Sequence, residues 1–260
     1  VVPHEVTGMA NYNKNIFVGC GGSEAINKSH FIGAVVGIEN ILGTTDNPVR
    51  KVLNKASEAV AGILPIIYVL TVIGPDKDGA LKMRGLFIGD DIECFRRAAD
   101  LAEKVNFVTL GNRLKKVVVY LSPDEFKSTW LGNKSIYRTR MAIADEGELI
   151  VLAPGLKTFG EDPQIDKLIR KYGYRTSEEI LRFVDGNEEL RNNLSAAAHL
   201  IHGSPENRFR VVYAAGHLTR EEIESVGYSF GNLEMLMKRY NPAVLKNGFN
   251  IMPDGEEIFY

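Results

Sequence analysis

Short apolar runs rich in valine and isoleucine alternate along the chain with helix-start signals, and this alternation constrains the fold most. Ile66–Ile73 and Met83–Ile88 predict two strands. Asp90 is expected to cap a helix that runs to about Val105, and Pro48 is expected to open an earlier helix. Strands that alternate with helices are typical of α/β layers, so the sequence predicts an α/β fold.

The second half of the chain continues this pattern with clearer boundaries. Val117–Leu121 predicts a buried strand, and Ser122–Glu125 has the pattern of a capping box that opens a helix to about Ile143. Further signals are strands at Leu149–Ala153 and Phe209–Tyr213, capping boxes at Thr176–Glu179 and Thr219–Glu222, and a turn at Pro253–Gly255 before a short terminal strand. The α/β prediction therefore extends to the end of the chain.

A polar, glycine-containing segment, Thr109–Lys116, predicts a domain junction. The length of 260 residues allows two modest domains. We therefore expect two α/β lobes, residues 1–111 and residues 112–260, with an active-site cleft between them.

Composition excludes several classes of function. The 31 basic and 33 acidic side chains leave a formal charge of −2 with no basic run, so neither nucleic acid nor a membrane surface is an expected partner. The apolar stretch Ala61–Ile73 contains Gly62 and Pro65 and is too short to span a bilayer. Two cysteines and no visible signal peptide indicate a cytoplasmic protein. Because the chain begins without Met, we expect a fragment or a processed product.

Three local patterns have both a functional and a structural interpretation. His199 and His202 stand three residues apart in a helical stretch, which suits a shared metal ion, but a structural role is the expectation because no third ligand stands nearby. Gly19–Gly22 follows the apolar Ile16–Val18, as in a strand, loop and helix that bind phosphate, although no nucleotide fingerprint matches. Cys20 in this loop is expected to be structural.

A fourth pattern lies in the first thirty residues. His4 is followed by Gly8 four residues later, by Lys14 ten residues later, and by His30 sixteen residues after the lysine. This spacing resembles the signature of the nickel-pincer-dependent lactate racemase family. Between the lysine and the second histidine the family shares three further residues, Gly19, Glu24 and Ile26. The resemblance runs along essentially the whole chain and aligns it with the C-terminal three-fifths of a family member.

The resemblance implies an isomerase that inverts C2 of a 2-hydroxy acid by hydride transfer to a nickel pincer nucleotide. Lys14 would carry this cofactor through a thioamide, Gly8 would belong to the cofactor-binding segment, and His30 would be the protein ligand to nickel, which imidazole suits. His4 would be a general base for the substrate hydroxyl. Lys134 would reach the substrate carboxylate or the cofactor phosphate from the second lobe. The resemblance thus implies that residues 1–111 form the C-terminal part of the catalytic lobe that attaches the cofactor, and that residues 112–260 form the lobe that closes over the site.

The chain also departs from the family pattern, and alternatives stay open. Met9–Asn13 stands where the family has a Ser-Gly-Gly-Arg run, which favours a longer, polyhydroxylated sugar acid over lactate. The family's other catalytic histidine lies upstream of the aligned segment. The alternatives are a cofactor-free homologue or fragment that binds a carboxylate, and a nicotinamide-dependent oxidoreductase that uses Gly19–Gly22. The partners implied by the leading hypothesis are a small 2-hydroxy acid and the enzymes that build the cofactor.

Overall fold

The chain folds into two compact α/β units, Val1–Thr109 and Leu110–Tyr260. The structure is a computed structural model that describes residues 1–60 and 63–260. The first two residues of the apolar stretch Ala61–Ile73 therefore lie outside the described residues. Within the described ranges, no helix has the length and apolar character needed to cross a bilayer.

Unit 1 combines two antiparallel strand pairs with helices. Its elements in chain order are β1 (Pro3–His4), β2 (Gly8–Met9), a π-helix (Asn15–Gly19), α1 (Ser23–Val36), α2 (Ile38–Ile41), α3 (Pro48–Val60), β3 (Tyr68–Pro75), β4 (Leu81–Gly89) and α4 (Ile92–Asn106). β1 pairs with β2, and β3 pairs with β4. The strands predicted at Ile66–Ile73 and Met83–Ile88 are confirmed, as are the helix predicted from Pro48 and the helix predicted to run to about Val105.

Helix α4 packs against strand β3 in one of the hydrophobic clusters of unit 1. Leu70 and Val72 alternate with more exposed residues along β3, so one face of the strand is buried against Phe95 and Ala98 of α4. The cap of this helix is Asp91, whose side chain accepts a hydrogen bond from the Cys94 amide at 2.9 Å. The prediction of Asp90 as the cap is wrong by one residue. An N-cap side chain accepts a hydrogen bond from an amide two or three residues later, and Asp91 stands three residues before Cys94.

The predicted strand before the glycine loop is wrong. Ile16–Val18 lies inside the π-helix, which closes with a hydrogen bond from the Cys20 amide to the Asn15 carbonyl at 3.0 Å. Gly22 then caps α1 in an extended conformation, so the glycines connect two helices. The strand, loop and helix order on which the nicotinamide alternative depends is therefore missing from this segment.

Unit 2 is built on a six-stranded, mostly parallel sheet with the strand order β8-β7-β6-β5-β10-β9. Its elements are β5 (Leu114–Tyr120), α5 (Thr129–Gly132), α6 (Lys134–Thr139), β6 (Ile143–Ala153), α7 (Pro163–Tyr172), α8 (Ser177–Gly186), α9 (Glu188–Arg191), α10 (Leu194–His202), β7 (Arg210–Ala215), α11 (Arg220–Ser225), β8 (Ser229–Phe230), α12 (Leu233–Arg239), β9 (Phe249–Ile251) and β10 (Glu257–Phe259). Within this six-stranded sheet, β9 and β10 pair antiparallel and the other neighbouring strands pair parallel.

The central strand of this sheet lies where an apolar run of the sequence predicts a strand. β6 lies between β5 and β7, and its residues Leu149–Ala153 are all buried, as a parallel strand covered on both faces requires. The capping boxes predicted at Thr176 and Thr219 are confirmed. Each threonine side chain accepts a hydrogen bond from the backbone amide three residues later, and the glutamate side chain at that position accepts one from the threonine amide.

The helix predicted from Ser122 to about Ile143 is wrong. Ser122–Glu125 forms a single turn, after which the chain runs beside residues 157–159 and becomes helical only in α5 and α6. The Lys127 carbonyl accepts from the Lys157 amide at 2.9 Å, and the Trp130 amide donates to the Phe159 carbonyl at 3.0 Å. These long-range bonds occupy backbone groups that a continuous helix needs for itself, so tertiary pairing overrides the local capping signal.

Candidate functional site

His4 lies in the short ribbon formed by β1 and β2, directly opposite Gly8. Its Nδ1 accepts a hydrogen bond from the Val6 amide at 3.1 Å, and its Nε2 lies 3.7 Å from Oε1 of Glu5. Because the backbone amide is the donor, Nδ1 must keep its lone pair, and the neutral ring carries its proton on Nε2. In this conformation His4 presents an N–H donor beside a carboxylate.

Gly8 has a backbone conformation and a packing environment that only glycine fits. Its φ is +80°, and a Cβ atom here would lie 2.2 Å from the Thr44 carbonyl oxygen and 2.7 Å from the Ile41 carbonyl oxygen. Gly8 also accepts a hydrogen bond from the Gly43 amide at 3.2 Å. The structure thus gives Gly8 a packing role against the end of α2, while its predicted contact with a cofactor stays a prediction.

Lys14 is half-buried at the start of the π-helix. Burial lowers the pKa of its amine; the Glu5 carboxylate opposes this effect, and the Arg50 guanidinium adds to it. A lowered pKa leaves more of the amine unprotonated near neutrality, and only the unprotonated amine is a nucleophile. Lys14 therefore has a larger unprotonated fraction near neutral pH than an exposed lysine would have.

His30 lies in α1 with its two ring nitrogens in different environments. Nδ1 is 2.7 Å from the Ile26 carbonyl oxygen, which can only accept, so Nδ1 carries the proton and Nε2 keeps a lone pair. Burial lowers the pKa of His30, the Ile26 hydrogen bond opposes this, Lys14 lowers the pKa further and Glu5 raises it. A neutral imidazole oriented by a backbone carbonyl is the usual form of a metal-binding histidine.

The structure therefore brings Glu5 close enough to Lys14 and His30 to raise the pKa of both, and Lys14 close enough to His30 to lower its pKa, with His4 adjacent to Glu5. Glu5 and Arg50 are residues of this site that the sequence analysis did not identify. The position of Glu5 next to His4 was the only available signal for it. Nothing local indicated Arg50, which contacts this segment across 37 to 41 residues of sequence.

Lys134 lies in unit 2, at the first position of α6, and is partly buried. The residue before it, Asn133, is 0% exposed and donates through Nδ2 to the Tyr228 hydroxyl at 2.9 Å, while its Oδ1 accepts from the Tyr213 hydroxyl at 3.2 Å. This buried network fixes the break between α5 and α6 and hence the start of the helix that carries Lys134. The predicted role of Lys134 toward substrate or cofactor stays a prediction.

The two histidines of α10 are buried and contact different aromatic rings. His199 Nε2 lies 3.0 Å from the Tyr174 hydroxyl and its ring packs on Trp130, whereas His202 meets the edge of Tyr137. Within residues 1–60 and 63–260, no group of three or more His, Cys, Asp or Glu side chains is arranged to hold a metal ion. Packing in the core of unit 2 accounts for His199, as the structural interpretation expects.

Acid is expected to destabilise unit 2 through His199. Burial lowers the pKa of His199 to about 3, against about 6.5 in an unfolded chain, so below pH 6.5 the unfolded state binds a proton that the native state does not. Stability should then fall by up to about 1.4 kcal/mol for each pH unit between 6.5 and 3. In His199→Gln, which retains a partner for Tyr174 but does not titrate, this slope should be shallower.

The measurement is urea unfolding at several pH values, followed by fluorescence. Trp130 is the only tryptophan of the chain and packs on His199, so its emission reports unit 2 specifically. His217→Gln, at an exposed position of the same unit, is the matched control and should keep the wild-type slope. Equal pH slopes for wild type and His199→Gln would show that His199 does not stay neutral in the native state.

Comparison with known proteins places this architecture among lactate-racemase-like α/β folds. No protein-family model and no curated protein sequence matches the chain. Among solved structures, a protein from Thermotoga maritima superposes with a TM-score of 0.78 at 23% identity, covering 100% of this chain and 62% of that one. The lactate racemase apoprotein from Thermoanaerobacterium thermosaccharolyticum superposes with a TM-score of 0.69 at 13% identity, covering 94% of this chain and 56% of its own.

These likenesses define a fold. At 23% and 13% identity they show that the α/β architecture is similar to that of a lactate racemase, without showing the reaction. The chain spans about three-fifths of the length of the proteins that it matches, 62% and 56% respectively. An activity of a whole protein of that length is accordingly a proposal for this chain.

Proposed function

We propose that this protein is a 2-hydroxy-acid racemase or epimerase that works with a nickel pincer nucleotide attached to Lys14. The observation that carries the proposal is the pairing of a half-buried lysine of lowered pKa with a nearby histidine whose Nε2 keeps its lone pair, in a lactate-racemase-like fold. Both residues belong to the spacing pattern of the resemblance, and they lie in unit 1.

The chemistry of these residues fits the cofactor. A thioamide forms through an unprotonated amine, and burial of Lys14 favours that form. Nickel accepts neutral imidazole, and the Ile26 carbonyl holds His30 in the tautomer that leaves Nε2 available. With His30 as its protein ligand, nickel would take its other donors from the cofactor. His30 would therefore complete a coordination shell rather than build one.

Inversion at C2 sets clear requirements on the protein. The Cα–H of a hydroxy acid is a very weak acid, and removal as hydride to give a 2-keto acid avoids a carbanion. When bound, the pincer nucleotide would supply a reversible acceptor for this hydride. The protein must bind the carboxylate, orient the carbon and move the hydroxyl proton.

His4 would handle the hydroxyl proton of the substrate. With Nδ1 engaged by the Val6 amide, its Nε2–H donates to a substrate oxygen and holds the hydroxyl or carbonyl group in place. To accept the hydroxyl proton at Nε2, the ring must give up its bond with Val6 and move the proton to Nδ1. Glu5, 3.7 Å from Nε2, would stabilise the positive charge after protonation.

The substrate class follows from the same segment. Met9–Asn13 contains Asn11, which is partly exposed, and an amide group suits the hydroxyls of a sugar acid better than the methyl group of lactate. Asn13 is buried and bonded to Arg50 and Asn54, so it is not part of this argument. The proposed substrates are therefore lactate-like acids and, by preference, polyhydroxylated 2-hydroxy acids. A homologue that binds a carboxylate without the cofactor is the competing function, and the experiment below separates the two.

The deciding experiment is peptide-mapped mass spectrometry of protein produced together with the cofactor-building enzymes and nickel. A cofactor-sized mass increase on the Lys14 peptide is the expected result, followed by interconversion of C2 epimers. The positive control is a known lactate racemase loaded in the same preparation. An unmodified Lys14 beside a loaded control would reject the proposal and favour the cofactor-free homologue.

Replacing His30 is expected to separate nickel binding from cofactor attachment. In His30→Ala the Nε2 ligand is gone while Lys14 remains, so we expect bound nickel to fall by at least ~10-fold while the organic part of the adduct stays on the Lys14 peptide. Nickel is measured by elemental mass spectrometry on desalted protein. His217→Ala, which removes an exposed histidine of unit 2, should retain wild-type nickel; retention of nickel by His30→Ala would exclude His30 as the ligand.

A further inference from the structure

Arg50 is a buried cation without a carboxylate partner. Its side chain is 0% exposed, and within the part of the chain that the structure describes it makes no ion pair. Burial lowers the pKa of this guanidinium to about 10. An arginine buried without an acidic partner is unfavourable, so a specific set of contacts must justify it.

The contacts of Arg50 converge on the segment that leads into Lys14. Nη2 donates to the Met9 carbonyl and Nη1 donates to Oδ1 of Asn13, so one guanidinium holds both ends of a five-residue segment. Asn13 in turn donates to Oδ1 of Asn54 at 2.8 Å. The guanidinium carbon also lies 4.7 Å from the centre of the Phe95 ring, an attractive arrangement for a cation.

The segment between these two anchors is conformationally strained. Asn11 has φ of 78° and Tyr12 has φ of 62°, and two consecutive non-glycine residues in this region are unfavourable unless their surroundings hold them. The Tyr12 ring is held between Tyr68 and Phe95, with centroid distances of 4.2 and 5.2 Å. The π-helix begins immediately after Lys14, and such helices occur often at functional sites.

We propose that Arg50 is a positioning residue for Lys14, which it holds in place by clamping the Met9 carbonyl and the Asn13 side chain across the left-handed turn. This inference rests on the function proposed above for Lys14. Arg50 acts through the turn and does not touch the substrate. Its planar guanidinium is required because a lysine ammonium cannot reach the two acceptors in the same fixed geometry.

The test compares three variants, Arg50→Lys, Arg50→Met and Asn13→Ala. The Lys14 amine is acetylated with a water-soluble N-hydroxysuccinimide ester over a range of pH, and the extent of acetylation is read by peptide-mapped mass spectrometry. The quantity compared is the pH midpoint of Lys14 acetylation. The charged or titratable groups that influence Lys14 in this structure are Glu5, Arg50 and His30. When the turn is released, Lys14 becomes solvated, so its midpoint should rise toward the usual lysine value of about 10.4 in all three variants. Asn13→Ala is the milder variant should the arginine variants fail to fold.

A control variant separates positioning from stability. Val72→Ala removes buried methyl groups from β3, lowers the melting temperature of unit 1 and should leave the Lys14 midpoint unchanged. If Arg50 acts through Asn13, the double variant Arg50→Lys with Asn13→Ala should show the shift of one variant and not the sum of two.

Three results would overturn the inference. Lower melting temperatures with an unchanged Lys14 midpoint would make Arg50 purely structural. A raised midpoint in Arg50→Met with a wild-type midpoint in Arg50→Lys would show that charge acts without the clamp. Additive shifts in the double variant would exclude the route through Asn13. Acetylation requires no cofactor, so failure to load the cofactor on wild type would count against the proposed function alone.

Discussion

Replacing Lys14 by arginine is expected to abolish both the covalent adduct and the interconversion of 2-hydroxy acids. Arginine keeps the length and positive charge, but its guanidinium stays protonated at any pH at which the protein is folded and cannot attack. The loss of turnover should be about 10³-fold or more, as when a covalent group is removed from other enzymes. Lys14→Ala should give the same result. Equal losses in the two variants would show that the positive charge kept by Lys14→Arg does not support the reaction.

The pH dependence of adduct formation provides an independent check on this prediction. Because burial lowers the pKa of Lys14, the unprotonated amine should become available, as pH rises, at a lower pH than for an ordinary lysine. The extent of attachment, measured by mass after a fixed time, should therefore rise with pH and reach its plateau below about pH 10.4.

The matched control is Lys28→Arg, at an exposed lysine of α1 that pairs with Glu24. This variant should load and turn over like wild type, since Lys28 lies on the solvent side of the same helix that carries His30. Wild-type turnover in Lys14→Arg would refute covalent attachment at this residue, whatever the adduct measurements show.

The sequence predicted the parts of the fold that depend on local signals. Buried strands such as Leu149–Ala153 and the capping boxes at Thr176 and Thr219 follow from residues within one turn or one strand of each other. The same type of signal at Ser122 failed because residues 157–159 pair with the backbone there. A capping box indicates what a segment favours in isolation. It carries no information about a backbone partner such as residues 157–159, which lie more than 30 residues after Ser122.

The candidate site likewise contains residues that local sequence signals indicate and residues that only contacts between segments reveal. The family resemblance pointed to Lys14 and His30, and the structure adds how burial affects the Lys14 amine and how the Ile26 carbonyl orients His30. Arg50 and Glu5 were missed because their importance lies in contacts between segments rather than in any motif. The π-helix at Asn15–Gly19 was missed for a related reason, since its apolar residues Ile16–Val18 have the composition of a strand.

Replacing Gly8 by alanine is expected to unfold unit 1 under conditions in which wild type is stable. Two costs combine at this position. A residue with a Cβ at φ +80° is disfavoured by about 1–2 kcal/mol. The added methyl group would also stand 2.2 Å from the Thr44 carbonyl oxygen and 2.7 Å from that of Ile41, so backbone must move, which typically costs about 1–3 kcal/mol more.

Gly79→Ala is the control that isolates the second cost. Gly79, in the turn between β3 and β4, has φ of +82° and no heavy atom within 4 Å of an added Cβ. It therefore carries the conformational penalty without the collision. Hydrogen exchange of peptides from α3 and α4 measures the stability of unit 1, and we expect Gly8→Ala to lose at least about 1 kcal/mol more than Gly79→Ala.

The comparison also tests why a glycine stands four residues after His4. If Gly8→Ala loses the stability of unit 1, packing against the end of α2 suffices to explain the glycine, and a cofactor contact is not needed to account for it. If Gly8→Ala is as stable as Gly79→Ala but no longer forms the Lys14 adduct, the close approach to Thr44 is relieved at little cost and the glycine makes room for the cofactor instead. The outcome thus decides whether this part of the signature preserves the fold of the ribbon that carries His4 or the space beside it.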